Sequence, residues 1–209
     1  MNEDDDPHAV TDIAALERIY PLAPAPAATI KVLDRLSPAY RRIVEAASFA
    51  ILATNGPRGI DCSPRGDAAG FIAVLDDRRI AIPDRRGNNR LDTLRNVLAD
   101  PRVGLIFFVP GMNEALRITG RARLTADPAL CGRLAVDGKA PATAMIVEID
   151  TVYFQCARAV LRARLWDRAA HVDRQTLPSA GDMLTTADPS FDGADYDKKL
   201  PGRQAQTLY

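Results

Sequence analysis

The chain has 209 residues, enough for one domain with terminal extensions. Hydrophobic residues make up 47% and charged residues 26%, ordinary proportions for a globular protein. The 27 Lys and Arg residues balance 27 Asp and Glu, so the formal net charge is zero. That balance speaks against a general nucleic-acid or membrane-surface binder and leaves room only for a local basic pocket.

The opening Asn2-Glu3-Asp4-Asp5-Asp6 is acidic, where a secretory leader would be basic and then apolar, and reads as a solvated start. Residues 11–20 predict a short helix capped by Thr11 or Asp12. Pro21, Pro24 and Pro26 then mark an extended linker. Residues 38–47 predict a helix with Pro38 in its first turn. The apolar run 48–54 has strand length, and Asn55-Gly56-Pro57-Arg58-Gly59 is a strong turn. Further strands are expected near 60–64, 70–75 and 79–82, with Asp76-Asp77 turning the last two.

Leu91, Leu94 and Leu98 stand at helical spacing in 88–98, and Asp100-Pro101 ends that helix. Residues 102–109 predict a buried strand, 114–125 a long alternating strand and 127–135 a short helix. A strong strand follows over 143–155, with Val147, Ile149, Val152 and Phe154 as its apolar members. The run 156–166 reads as a basic helix. From about residue 178, Pro, Gly, Asp and Ser suggest a loose arm. Six or seven strands this closely spaced leave no room for repeated crossover helices, so the sheet should be antiparallel. A small barrel would remove its edges.

Cys62, Cys131 and Cys156 lack metal-ligand spacing and read as reduced, buried thiols. His8 and His171 are far apart, so no metal site is expected. No run of about 18 apolar residues suggests a membrane span, and a cytoplasmic location is the default.

The chemistry concentrates in Ile82-Pro83-Asp84-Arg85-Arg86-Gly87-Asn88-Asn89-Arg90, before the predicted amphipathic helix. A helix start offers unpaired N–H groups and partial positive charge, hence an anion site. Asparagine amides and arginine forks add donors suited to phosphate oxygens. Taken alone, Asn88 also reads as a helix cap and the arginines as a solvated face. In Cys62-Ser63-Pro64-Arg65-Gly66-Asp67, Pro64 and Gly66 interrupt a strand, as where a ligand approaches backbone. The alternative there is a plain loop with an Arg65–Asp67 surface pair. Arg117 lies in the long strand and gains interest only if its face lines the same pocket.

The run from Asn55 to Leu124 resembles the pyridoxamine-phosphate-oxidase-like FMN-binding split-barrel superfamily, and within it a bacterial branch of FMN-dependent enzymes. The likeness rests on TNGPRGIDCSPRGDAAGF, IPDRRGNNRLDTLRNVLADPRVGLIFFVPG and EALRITGRARL, and CARAVLRARLW extends it. It implies a mainly β fold with flanking helices, a six-stranded antiparallel split β-barrel. It also implies a homodimer with FMN at the subunit interface. By the same resemblance, Ser63, Arg65 and Gly66 would meet the flavin ring and phosphate. Ile82 and Pro83 would offer backbone to the ring, Asn88, Asn89 and Arg90 would grip the phosphate, and Arg117 would reach the cofactor from a neighbouring strand.

The corresponding domain organisation is an N-terminal arm over 1–37, an FMN-binding barrel over 38–166 and a C-terminal arm over 167–209. Two departures bear on substrate. Family oxidases of vitamin B6 carry Ser-Arg-Lys in the phosphate turn, where this chain has Asn-Asn-Arg. Only Trp166-Asp167-Arg168 approaches their C-terminal substrate motif. The expectation is therefore an FMN-dependent oxidoreductase acting on an unspecified small molecule. The alternatives are a non-catalytic flavin carrier or sensor, or a split barrel for the deazaflavin F420. Haem is disfavoured because no axial histidine stands out.

Overall fold

The computed structural model describes residues 6–208. Residues 2–5 of the acidic opening lie outside the described residues. The chain divides into two compact units with the boundary after Val32. The first unit holds α1 (Ile13–Ile19), capped by the Asp12 side chain, which accepts from Ala15 N–H at 2.7 Å. It also holds the one-turn α2 (Pro26–Thr29), so the proline segment is not wholly extended. Proline fits there because a first helical turn needs no N–H from it.

The second unit is built on seven antiparallel strands: β1 (Phe49–Gly56), β2 (Gly59–Gly66), β3 (Ala73–Val74), β4 (Arg79–Pro83), β5 (Arg102–Phe108), β6 (Ala115–Thr125) and β7 (Ala144–Gln155). Their hydrogen-bonded order is β2-β1-β5-β6-β7-β4-β3. The six-strand expectation is corrected to seven by β3, a two-residue strand made by the hairpin at Asp76-Asp77. Among the described residues no ladder joins β2 to β3, so the hydrogen-bonded sheet is open. Pro64 suits the outer strand β2, where its missing N–H breaks no ladder.

The helices are α3 (Pro38–Ala46), α4 (Asp92–Ala99), α5 (Pro128–Arg133), α6 (Arg158–Ala163), α7 (Ala180–Ala187) and α8 (Gly193–Thr207). Alternation along the strands makes the core. On β6, Leu116, Ile118 and Ala122 face inward while Arg117, Thr119, Arg121 and Arg123 face out. Their inward faces join Leu52, Phe107, Val147, Ile149 and Val152, with Val44 of α3 and Val97 of α4. Leu130 and Leu134 pack separately with Ala81, Ala144 and Ile146. On β7 the alternation slips between Ile149 and Val152, because a bulge opposite Thr119/Gly120 adds a residue. A side chain at Gly120 would run into the Glu148 carbonyl there. Phe154, expected inward, is 37% exposed near the strand end.

Two expectations about the remainder are corrected. The segment after residue 178 is a helical hairpin, α7 followed by α8, not a loose arm. Its polar residues act as caps: Ser179 and Asp182 form a reciprocal capping box, and Asp192 caps α8. Of the cysteines, only Cys131 is buried, while Cys62 and Cys156 are exposed. All three are free. Among the described residues no helix is long and apolar enough to cross a membrane.

Candidate functional site

Beside the sheet edge formed by β2 lies a cleft of about 700 Å3. It is walled by residues 61–65 of β2, the segment 84–91, the start of α4 and residues 139–142. Asp61, Ser63 and Arg65 share one side of β2 because side chains alternate along a strand, and each is half-buried. The Arg65 guanidinium donates to Ser63 Oγ at 2.8 Å and to the Pro64 carbonyl at 3.1 Å. No carboxylate lies within ion-pair distance of it in the described structure. Burial works against its charged form, and the nearby Asp84 and Asp61 carboxylates partly offset that cost. Asp84 answers with the opposite sign: burial raises its carboxyl above the usual range, and Arg65 only partly pulls it back.

The segment between β4 and α4 is anchored at its start. Asp84 N–H donates to the Thr143 carbonyl at 3.0 Å, continuing the β4–β7 ladder. Arg85 Nε donates to Asp67 Oδ2 at 2.7 Å, and another guanidinium nitrogen donates to the Leu134 carbonyl at 2.8 Å. This pair is largely buried, with side-chain exposures of 19% for Arg85 and 2% for Asp67. The alternative of an Arg65–Asp67 surface pair does not hold: the ion-pair partner of Asp67 is Arg85, from the segment after β4. The Thr143 hydroxyl, one residue beyond the cleft wall, is buried without a hydrogen-bond partner.

The chain then turns through Gly87, Asn88 and Asn89, the last in the left-handed region at φ 58°. Asn88 Oδ1 accepts from Arg90 N–H at 3.0 Å. The helix predicted from residue 88 begins only at Asp92, capped by Leu91 without a side-chain bond. This corrects the cap reading of Asn88: the N-cap is Leu91, and the turn ends at Arg90 just before it. The first turn of α4 already holds the carboxylate of Asp92, which pairs with Arg90 at 2.6 Å and Arg58 at 3.1 Å. Those cations hold Asp92 below the usual carboxylate range. An acid in the first turn offsets part of the partial positive charge of the helix terminus.

α4 is placed by Asn96, whose amide donates to the buried Thr54 hydroxyl at 3.2 Å, and Thr93 donates to Asp61 at 3.4 Å.

Of the residues singled out in the sequence, Ser63, Arg65, Asn88, Asn89 and Arg90 share the cleft wall. Gly66, Ile82, Pro83 and Arg117 do not line it within one chain. Ile82 and Pro83 have buried side chains. Arg117 lies on the solvent face of the sheet, over the Tyr153 ring at 5.2 Å. Sequence reasoning gave Asp84 no role of its own and missed the Arg85–Asp67 pair and the Lys139–Ala142 wall. The last had a signal: Asp137-Gly138 is a turn dipeptide, both residues take positive φ, and the turn brings Lys139 back to the cleft. Trp166 and Asp167 are engaged away from the cleft. The Trp166 indole donates to the Met112 carbonyl at 2.8 Å, and Asp167 pairs with Arg164.

The fold and site define a β protein: a helix-flanked antiparallel sheet with a cleft lined by arginines and asparagines at its edge. The family model for pyridoxamine 5'-phosphate oxidase matches residues 36–156, more than half the chain, and the chain belongs to that family. No curated protein matches it. Among solved structures it is similar to the Group A Streptococcus protein HupZ, with 12% identity over 57% of this chain and 93% of that one, at a TM-score of 0.47. It is also similar to a Clostridium acetobutylicum protein related to general stress protein 26, with 16% identity over 56% and 85% at 0.44. An FMN-binding protein from Syntrophomonas wolfei matches with 12% identity over 56% and 88% at 0.44.

Proposed function

We propose that the chain is an FMN-binding flavoprotein, a cytoplasmic FMN-dependent oxidoreductase acting on a small molecule. The observation that carries the reading is Arg65: a half-buried guanidinium with no carboxylate at pairing distance, facing a cleft rich in amide and guanidinium donors. A desolvated cation is stable there if an anionic ligand completes its surroundings.

In this reading Asn88, Asn89 and Arg90 hold the phosphate. Ser63, Arg65 and Gly66 meet the phosphate and ring, with Ile82 and Pro83 supplying backbone contacts. Bound FMN would supply a two-electron redox centre for hydride transfer. The protein's part is to hold it, and Arg65 favours added negative charge.

The partner we propose is a second copy of the chain, with the cofactor at the shared interface and Arg117 reaching it there. The solvent face of the sheet supports this. Phe49 pairs with Phe108 across β1 and β5, and Ile51 with Ile106, yet all four are incompletely buried. Phe49 is 41% exposed. Pairing would cover that apolar face.

The test is the visible spectrum of the purified protein, with released ligand identified by chromatography. The expected result is a yellow two-banded spectrum and free FMN. A colourless protein that cannot be reconstituted with FMN would overturn the reading, and released F420 would redirect it. A monomeric mass by light scattering would overturn the dimer and the interfacial site.

A further inference from the structure

The charges around the cleft do not pair evenly. Its wall carries Arg65, Arg85, Arg86, Arg90 and Lys139 against Asp61, Asp84 and Asp92. Arg85 is tied to Asp67, which lies outside the wall, and Arg90 is tied to Asp92. Asp61 accepts from Thr93. Three half-buried charges remain without an ion pair, Arg65 and Asp61 on β2 and Asp84 at the end of β4, and no hydrogen bond joins Asp84 to Arg65. Arg86 is exposed at the rim. An ionised Asp84 would cancel the pull of Arg65 and repel any anion entering beside it. A protonated Asp84 would leave Arg65 to the anion and add a donor of its own.

We infer that Asp84 is a further binding residue of the cleft, one that enters the complex as the neutral acid. It takes one proton from solvent as the anion binds and donates a hydrogen bond to it. The inference rests on the proposed anion-binding role of the cleft but does not depend on the anion being a flavin. Burial already biases Asp84 toward its protonated form, and a bound anion would add to that bias.

The experiment is isothermal titration of the full-length apo-protein with FMN and, separately, with sulfate, in buffers of differing ionisation enthalpy. Sulfate stays a dianion throughout, so any proton taken up with it belongs to the protein. The wild type is expected to take up more protons than Asp84→Asn, by up to one per anion. Its affinity relative to the variant should fall as pH rises, by up to about tenfold per unit. Equal proton uptake by the two proteins overturns the inference and leaves FMN binding standing. Should the variant not fold, a wild-type sulfate affinity that is flat from mildly acidic to neutral pH overturns it equally. Sulfate binding with proton uptake but no FMN binding would defeat the flavin reading and uphold Asp84. Binding of neither anion defeats both.

Discussion

Two arginines stand at the same cleft, and their surroundings give them opposite roles. Arg85 meets a nearly inaccessible carboxylate and a carbonyl, so each of its nitrogens that turns inward finds a fixed partner. It fastens the end of β4 to the segment after β2 and to the end of α5. Arg65 meets a hydroxyl and a carbonyl but no carboxylate at pairing distance. Its charge is therefore incompletely answered. The guanidinium is the same in both places; the supply of counter-charge decides whether it braces the fold or awaits a ligand.

The comparison is broken most severely at Arg85. Arg85→Ala removes the ion pair from the buried Asp67 carboxylate, and should cost about 3–5 kcal/mol in chemical denaturation. Arg65→Ala should do the reverse. Folding stability should change little, while FMN affinity should drop by about 1.5–3 kcal/mol per lost charge-assisted bond, read by flavin fluorescence. Unchanged affinity together with an unchanged reduction potential would refute a role for Arg65.

A smaller effect sharpens the contrast through pH. The folded-state pKa of Asp84 is raised, so the folded protein keeps that proton longer than the unfolded chain. Stability therefore falls as pH rises through the window above the ordinary Asp range. Asp84→Asn should raise the melting temperature of the apo-protein at neutral pH and change it little in acid. Asp100, held well below the usual range by Arg102 and Asn55, has the opposite sign: its contribution is present at neutral pH and lost on acidification. The smallest effect belongs to a solvent-exposed pair. Lys199→Ala, which removes the bond to Asp195, should cost about 0.5 kcal/mol or less in the same denaturation assay.

Much of the sheet was legible in the sequence because alternation and turn residues act locally. The Asn55–Gly59 turn, the outward arginines of β6 and the cap Asp12 follow from neighbours in the chain. The cleft was only partly legible. Ser63, Arg65 and the Asn88–Arg90 turn announced themselves by composition. The partner of Asp67 could not, since Arg85 reaches it only after β2 and β4 take their places. The start of α4 was misjudged because Leu91 keeps the helical spacing although the helix itself begins at Asp92. The C-terminal hairpin was misjudged because residues common in loops serve equally as caps.

That hairpin has a consequence for how the chain can change over evolutionary time. Where α7 and α8 cross, Gly181 and Gly193 face each other, and a side chain added to either would strike the other's carbonyl. Neighbours such as Met183 are 58% exposed and free to vary. A saturation library read for soluble expression should therefore find two isolated positions that refuse every substitution, amid a tolerant surface. Drift in this segment is confined to sequences that keep both vacancies at once.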